Sequence, residues 1–242
     1  MEFTQISPAI LSAFVAYQRK EDLIQKKYKL LQDVLSANKC SADSILFLGF
    51  DPWIMGNYYD TEIFVSLITD DVAQYLDDYG VIYTHIHNDD LYDMLPCDIV
   101  VAADEILTYS EEDRNPKELI ELLSELANEL FVTTVRDYKN MTLKSRDFSE
   151  PTVIKNDNGF AVFLEYHDYK YKVKNQWQSF IYANGTDINS TYGPFNRQPI
   201  FFKQLAKFAF DAGATNFMVH RDLMFKSLIK KSYEHIISVN FN

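Results

Sequence analysis

The sequence predicts an α/β fold: a mostly parallel sheet with flanking helices, terminal antiparallel strands and an inserted β-hairpin. Three observations carry this. Short continuous apolar runs, SILFLGF at 44–50 and DIVVAA at 98–103, have the length and composition of strands buried on both faces. Segments with apolar residues at helical spacing alternate with such runs, which implies parallel strands joined by right-handed crossovers. Beyond residue 139 the pattern shifts to aromatic and polar residues in alternation, the period of an exposed ribbon.

Taken in order, Ser7 and Pro8 suit a helix start, with Ser as cap and Pro in the first turn. A second helix is expected over 21–38, its lysines on the outer face. The strand at 44–50 is closed by Gly49 and by Asp51-Pro52. Asp60 then caps a helix to residue 79, with Ile63, Phe64, Leu67, Ile68, Val72, Tyr75 and Leu76 inward and Gly80 ending it. A strand follows at 81–86, then a polar loop at 87–96 and the strand at 98–103. The link between those strands is too short for a full helix, so one crossover is abbreviated. Asn115, Pro116 and Glu118 form a helix start, the helix runs to residue 130, and a strand occupies 131–135.

Residues 139–158 read as polar and irregular, and 160–166 with 169–183 as two arms of a hairpin. In the second arm Tyr169, Tyr171 and Val173 alternate with Lys170, Lys172 and Lys174. Asn184-Gly185 is a turn signal. A helix over 199–212 and strands at 216–221 and 233–240 complete the chain. The whole reads as one domain, 1–242, with 139–198 inserted in it.

At 242 residues the chain can bury a full core. A net charge of −12 repels a phosphate backbone, so nucleic acid is not the expected partner. Two cysteines, Cys40 and Cys97, fit free thiols in a reducing, cytoplasmic setting. The first residues lack the basic-then-apolar pattern of a signal peptide. No apolar window is long enough for a membrane span, so no membrane association is expected.

Ligands of a parallel sheet bind outside the carboxyl ends of its strands. Four such ends carry polar residues just after an apolar run: 49–51, 85–87, 104–105 and 136–137. His85 and His87 stand two apart, as a metal pair on a strand would, but no third ligand has a recognisable spacing and no metal is expected. No P-loop, nucleophile elbow or zinc spacing is present.

The stretch NDDLYDMLPCDIVVAADEILTY (88–109) resembles the segment of class I S-adenosylmethionine-dependent methyltransferases in which an acidic turn precedes the fourth strand. FVTTVRDY (131–138) resembles their fifth strand. QPIFFKQLAKFAFDAGATNFMVH (198–220) resembles the helix, glycine turn and sixth strand that close that fold. The resemblance covers most of 1–138 and 199–242. It implies a Rossmann-like sheet, S-adenosylmethionine as cofactor, and methyl transfer to a small-molecule or protein nucleophile. It also implies a cofactor site of Gly49, Phe50, Asp51, Trp53, His87 and Asp89. In that site Trp53 or Tyr58 stacks on adenine, and Asp89 or Asp90, with Asp93 a third candidate, bonds the ribose hydroxyls. Asp104 and Glu105 are the implied catalytic pair, orienting a substrate amine or taking its proton.

The sequence departs from the family at the first loop. A glycine-rich turn there lets backbone approach the cofactor's amino acid portion, whereas this chain reads GFDPWIMGNYYD. Two alternatives follow: an altered cofactor pocket, or a closed one in a catalytically inactive module that binds or assembles with a protein partner. An acidic inhibitor is a third class, suggested by net charge alone.

Overall fold

A computed structural model describes residues 23–102, 106–107, 115–136, 147–148, 152–156, 159–168, 176–184, 187–197, 200–220 and 234–241. The helix expected from Ser7-Pro8, the lysine alternation at 170–174, and Asp104, Glu105 and Asp137 lie outside these residues.

The chain opens with α1 (Leu23–Asn38) and β1 (Ser44–Leu48), then a 3-10 turn at Pro52–Met55 and β2 (Glu62–Ser66). Next come α2 (Asp70–Tyr79), the short β3 (Thr84–His85), a second 3-10 turn at Leu91–Asp93, and β4 (Cys97–Ala102). α3 (Pro116–Leu126) leads directly into β5 (Ala127–Arg136). Five strands follow: β6 (Asp147–Phe148), β7 (Thr152–Asn156), β8 (Gly159–Asp168), β9 (Gln176–Asn184) and β10 (Asp187–Arg197). α4 (Phe202–Asp211), β11 (Asn216–His220) and β12 (Glu234–Asn240) end the chain.

One sheet has the order β11-β12-β5-β4-β1-β2-β3. β1 pairs in parallel with β2 and β4, β2 with β3, and β4 with β5. β12 runs antiparallel to both β5 and β11. Successive residues of each central strand enter opposite cores. Ile45, Phe47, Val65, Ile99, Val101 and Val132 meet Leu31, Val34 and Leu35 of α1 and Val72 and Leu76 of α2. Leu46, Leu48, Val100, Ala102 and Phe131 meet Leu119, Ile120 and Leu123 of α3 and Leu205 and Ala209 of α4. Both faces are apolar because both are covered, and this is why these strands read as unbroken apolar runs.

Residues 60–79 are not one helix. Glu62–Ser66 is a strand laid in parallel against β1, and the helix begins at Asp70 with Thr69 as its cap. The apolar residues there fit helical spacing, but Ile63 and Val65 enter one core while Phe64 packs against the other. Burial on two faces decided the local conformation. The strand expected at 81–86 is therefore the third, laddered only over Thr84–His85 at the sheet edge. Its chain neighbour β4 is not its sheet neighbour, and residues 86–96 with one 3-10 turn carry the chain back across β2 and β1.

The second helix boundary also moves. α3 stops at Leu126, and Ala127 to Leu130 join β5, where Ala127 pairs with Cys97 and Leu130 with Ile99. Within 139–198 the described residues form a separate antiparallel sheet, β10-β9-β8-β6, with β7 also on β8. The expected hairpin is its β8–β9 pair, and the stretch expected to be irregular contributes β6 and β7.

The boundary of α2 is testable. Thr69→Ala removes the Oγ1 acceptor of the Val72 amide and is expected to lower stability by about 0.5–2 kcal/mol in urea denaturation. Asp60→Gly suits the φ of 57° at that residue and is expected to stay within about 0.5 kcal/mol of the parent. The opposite ranking would return the helix start to Asp60.

Candidate functional site

The carboxyl ends of β3, β2, β1, β4 and β5 lie side by side, since these strands are parallel neighbours. Chain order reverses between β1 and β4, the place where such sheets open a crevice. The last rungs pair Leu48 with Ser66 and with Ala102, and Ala102 with Thr133. Gly49 lies immediately beyond, at φ 75°, a left-handed turn suited to glycine. Its amide donates to the Ser66 carbonyl at 2.9 Å. Phe50 turns into the core rather than into the crevice.

The loop after Gly49 is fastened to α1. Lys27 Nζ lies 2.9 Å from Asp51 Oδ2 and 3.1 Å from Oδ1. Asp51 Oδ1 also accepts from the Trp53 amide at 3.1 Å, capping the 3-10 turn. Lys27 is only 9% exposed, and a charge so buried requires a partner of this kind. Its ammonium stands 6.0 Å from the Trp53 ring centroid. Three further fasteners hold the same loop. Tyr28 Oη donates to the Asn57 carbonyl at 2.7 Å, and Tyr58 Oη to the Trp53 carbonyl at 2.6 Å. The Tyr28 ring lies so close over Gly56 that a Cβ there would clash with its Cδ2. Tyr58 packs edge-on against Tyr28 at 5.2 Å and tilted against Phe47 at 5.7 Å. Burial, then Tyr28 and Asp51, push the Tyr58 hydroxyl well above its ordinary pKa.

These contacts show where Trp53 and Tyr58, the expected stacking residues, are placed. The Trp53 side chain is 1% exposed and sits with Ile54 and Met55 in the core under α1. Tyr58 packs against that same core, its hydroxyl spent on Trp53. The buried Trp53 ring presents no face for stacking, while Tyr58 is partly buried.

At the sheet edge the His85 and His87 rings stand 4.9 Å apart. Burial, then His87, lowers the His85 pKa below 6.5, against the opposing pull of Asp70 and Asp77. Asp89 is exposed in the turn closed by the Asp90 amide on the His87 carbonyl. It follows the third strand, so β2 intervenes between its strand and β1. After the true second strand the first acid is Asp70, and the strand itself ends at Ser66. The Ser66 hydroxyl is fully buried and has no hydrogen-bond partner among the described residues. No group of three metal-ligating side chains occurs among the described residues, and no helix among them is long and apolar enough to cross a membrane.

The structure places Gly49 and Asp51 just beyond β1 and His87 just beyond β3; Lys27, Tyr28 and Ser66, which stand beside that loop and strand end, were not among the site residues read from the sequence. Lys27 reads as one of several lysines on a helix's wet face, and nothing local marks the one that turns inward.

No family model matches the chain, and no curated protein matches it in sequence. Solved structures do match in shape. S-adenosylmethionine-bound CalS10 is an amino pentose methyltransferase from Micromonospora echinaspora. It shares 8% identity over 100% of both chains, with a TM-score of 0.69. DesVI from Streptomyces venezuelae shares 10% identity over 97% of this chain and 98% of its own, also at 0.69. The sugar N-methyltransferase KedS8 from Streptoalloteichus shares 10% over 100% and 95%, again at 0.69. The fold is that of class I S-adenosylmethionine-dependent methyltransferases. At these identities the likeness is one of fold. Within this methyltransferase fold the connection from β1 to β2 holds a single 3-10 turn, pinned by α1.

Two predictions follow from this geometry. Gly56→Ala forces a Cβ into the Tyr28 ring and is expected to cost about 1–3 kcal/mol in denaturant unfolding. In a Tyr28→Ala background the same change is expected to cost less than half as much. For His85, a folded pKa below 6.5 means that the unfolded chain takes up its proton first as pH falls. Stability held by the neutral ring is therefore present above about pH 6.5 and lost as pH drops through the folded value. The fall in thermal midpoint from about pH 7.5 to about pH 5.5 is expected to be smaller in His85→Gln than in the parent. An NMR titration midpoint for His85 at or above 6.5 would contradict this.

Proposed function

We propose that the chain binds S-adenosylmethionine at the β1–β4 crevice and transfers its methyl group to a small-molecule nucleophile. The observation that carries the reading is a fold like that of solved methyltransferases over nearly the whole of both chains, at a TM-score of 0.69, two of them named for sugar substrates.

The donor set at the crevice fits such a cofactor, in a way particular to this chain. Gly49 keeps the left-handed turn at the exit of β1. The Ser66 hydroxyl, without a hydrogen-bond partner among the described residues, stands at the end of β2, where the family bonds ribose hydroxyls, and a hydroxyl both donates and accepts. Beyond Gly49 the loop offers charged side chains, Asp51 with Lys27, in place of bare backbone. The proposed holding set is therefore Gly49, Asp51, Ser66 and Lys27, with His87 and Asp89 at the rim. Trp53 and Phe50 support it from the core.

Bound there, S-adenosylmethionine supplies an electrophilic methyl group on sulfur. The chain's own part is to hold the acceptor in line with that methyl group, which removes most of the orientational cost of the reaction. Asp104 and Glu105 follow β4 by two and three positions in the chain. They are the proposed groups that orient the acceptor and take its proton. The charge of −12 disfavours a polyanionic acceptor. Two free cysteines, one buried and one half-buried, support a reducing, cytoplasmic setting.

One observation favours a second reading. Trp53 in the core and Asp51 held by Lys27 close the loop against backbone approach, as a cofactor-free module that docks a protein would allow.

Calorimetry with S-adenosylhomocysteine decides between them. Saturable one-to-one binding is expected, with a stabilisation of about 2.7 kcal/mol at about one hundred times Kd. Neither heat nor thermal shift at about millimolar ligand would leave the cofactor-free module standing.

A further inference from the structure

We propose that His85 and His87 form a two-histidine site for a borderline divalent cation of the zinc, nickel and copper class, at the carboxyl end of β3. The site needs neither the β1–β4 crevice nor a cofactor, so it stands or falls apart from the cofactor reading above.

β3 is laddered to β2 over Thr84–His85, and the Ile86 amide continues the ladder by donating to the Val65 carbonyl at 2.9 Å. The alternation of an extended chain therefore sends His85 and His87 to one face. His85 is level with Val65, whose side chain enters the core under α1 and α2, so this is the face that α2 covers. Positions two apart on a strand are separated by about 6.6 Å. The two ring centroids stand only 4.9 Å apart, tilted by 43° rather than stacked flat. The rings have leaned together. A metal–nitrogen bond of about 2.0–2.1 Å places a ring centroid about 3.2 Å from the ion, so two imidazoles on one octahedral or tetrahedral ion stand about 4.5–5.2 Å apart. The observed separation falls inside that interval.

Three features separate this from a chance ring contact. Neither imidazole hydrogen-bonds to another of the described residues, so among these no protein group claims their nitrogens. His85 is half-buried and His87 exposed, which leaves an ion a way in from solvent. Asp70 and Asp77 of α2 act on His85 through their charge, and the chain as a whole carries −12, so the field at the pair attracts a dication. The two neutral nitrogens choose which one: imidazole suits zinc, nickel and copper, while magnesium and calcium take oxygen ligands. No third metal-ligating side chain joins the pair among the described residues. Water completes the coordination, and those positions are open to exchange.

The test titrates the full chain, stripped with EDTA and dialysed, with nickel, zinc and magnesium chlorides in a calorimeter, with no nucleoside present. Nickel and zinc are expected to bind and magnesium is not. His85→Gln and His87→Gln are each expected to weaken nickel and zinc binding about tenfold or more. His220→Gln, on the opposite edge strand β11, is expected to stay within about twofold of the parent. Substoichiometric copper chloride locates the site: it is expected to broaden the amide NMR resonances of residues 84–87 first, and to lose that selectivity in either variant. Circular dichroism checks folding. His87 is exposed, so His87→Gln reads the same loss should His85→Gln fail to fold. No binding of nickel or zinc at about millimolar metal overturns the proposal. Equal binding in parent and both variants, or broadening centred elsewhere, also overturns it by placing the ion on other residues. Magnesium bound as tightly as nickel overturns it in favour of the α2 carboxylates.

Discussion

β1 has a parallel strand on each side and helices over both faces, and the placement of the crevice depends on that arrangement. Leu46 and Leu48 enter one core and Ile45 and Phe47 the other. A one-residue slip against β2 or β4 would not expose polar groups, because both faces are apolar, but it would exchange side chains of different size between two close-packed cores. The register that results puts Leu48, Ser66 and Ala102 on one rung. Everything the strands present to a ligand begins just beyond that rung.

The loop beyond it is an example of packing taking over a role that backbone freedom fills elsewhere. A glycine-rich turn exposes amide groups by having no side chains. Here one glycine remains at the turn, and Phe50, Trp53, Ile54 and Met55 go inward to fill the space under α1. Burying an indole and its neighbours anchors the loop far more firmly than a bare turn would be. At this end of the loop Asp51 pairs at 2.9 Å with Lys27 of the helix above it, and ions kept in so poorly hydrated a place require such partners.

The fold shared with CalS10, DesVI and KedS8 at 8–10% identity shows how little of a methyltransferase sheet is fixed by particular residues. What persists is the fold. In this chain the antiparallel β12 lies between β5 and β11, with buried Ile236, Ile237 and Val239 continuing the cores laid down by the parallel strands.

The sequence by itself determined the strands at 44–50, 98–103 and 131–135, the helix starting at Pro116 and the closing helix–strand unit. In each, burial periodicity or a cap is a local signal that tertiary contacts reinforce. It also placed Gly49 and Asp51 just past the end of a strand, since strand ends are legible from where an apolar run stops. Only the tertiary structure decided that 62–66 is a strand, because its apolar spacing suits a helix until β1 lies alongside it. Only the tertiary structure turned Lys27 inward and Trp53 into the core, since their partners lie 24 and more residues away along the chain. A side chain's periodicity records that it is covered or wet; which distant group covers it is settled by packing, and the candidate site is made of such pairings.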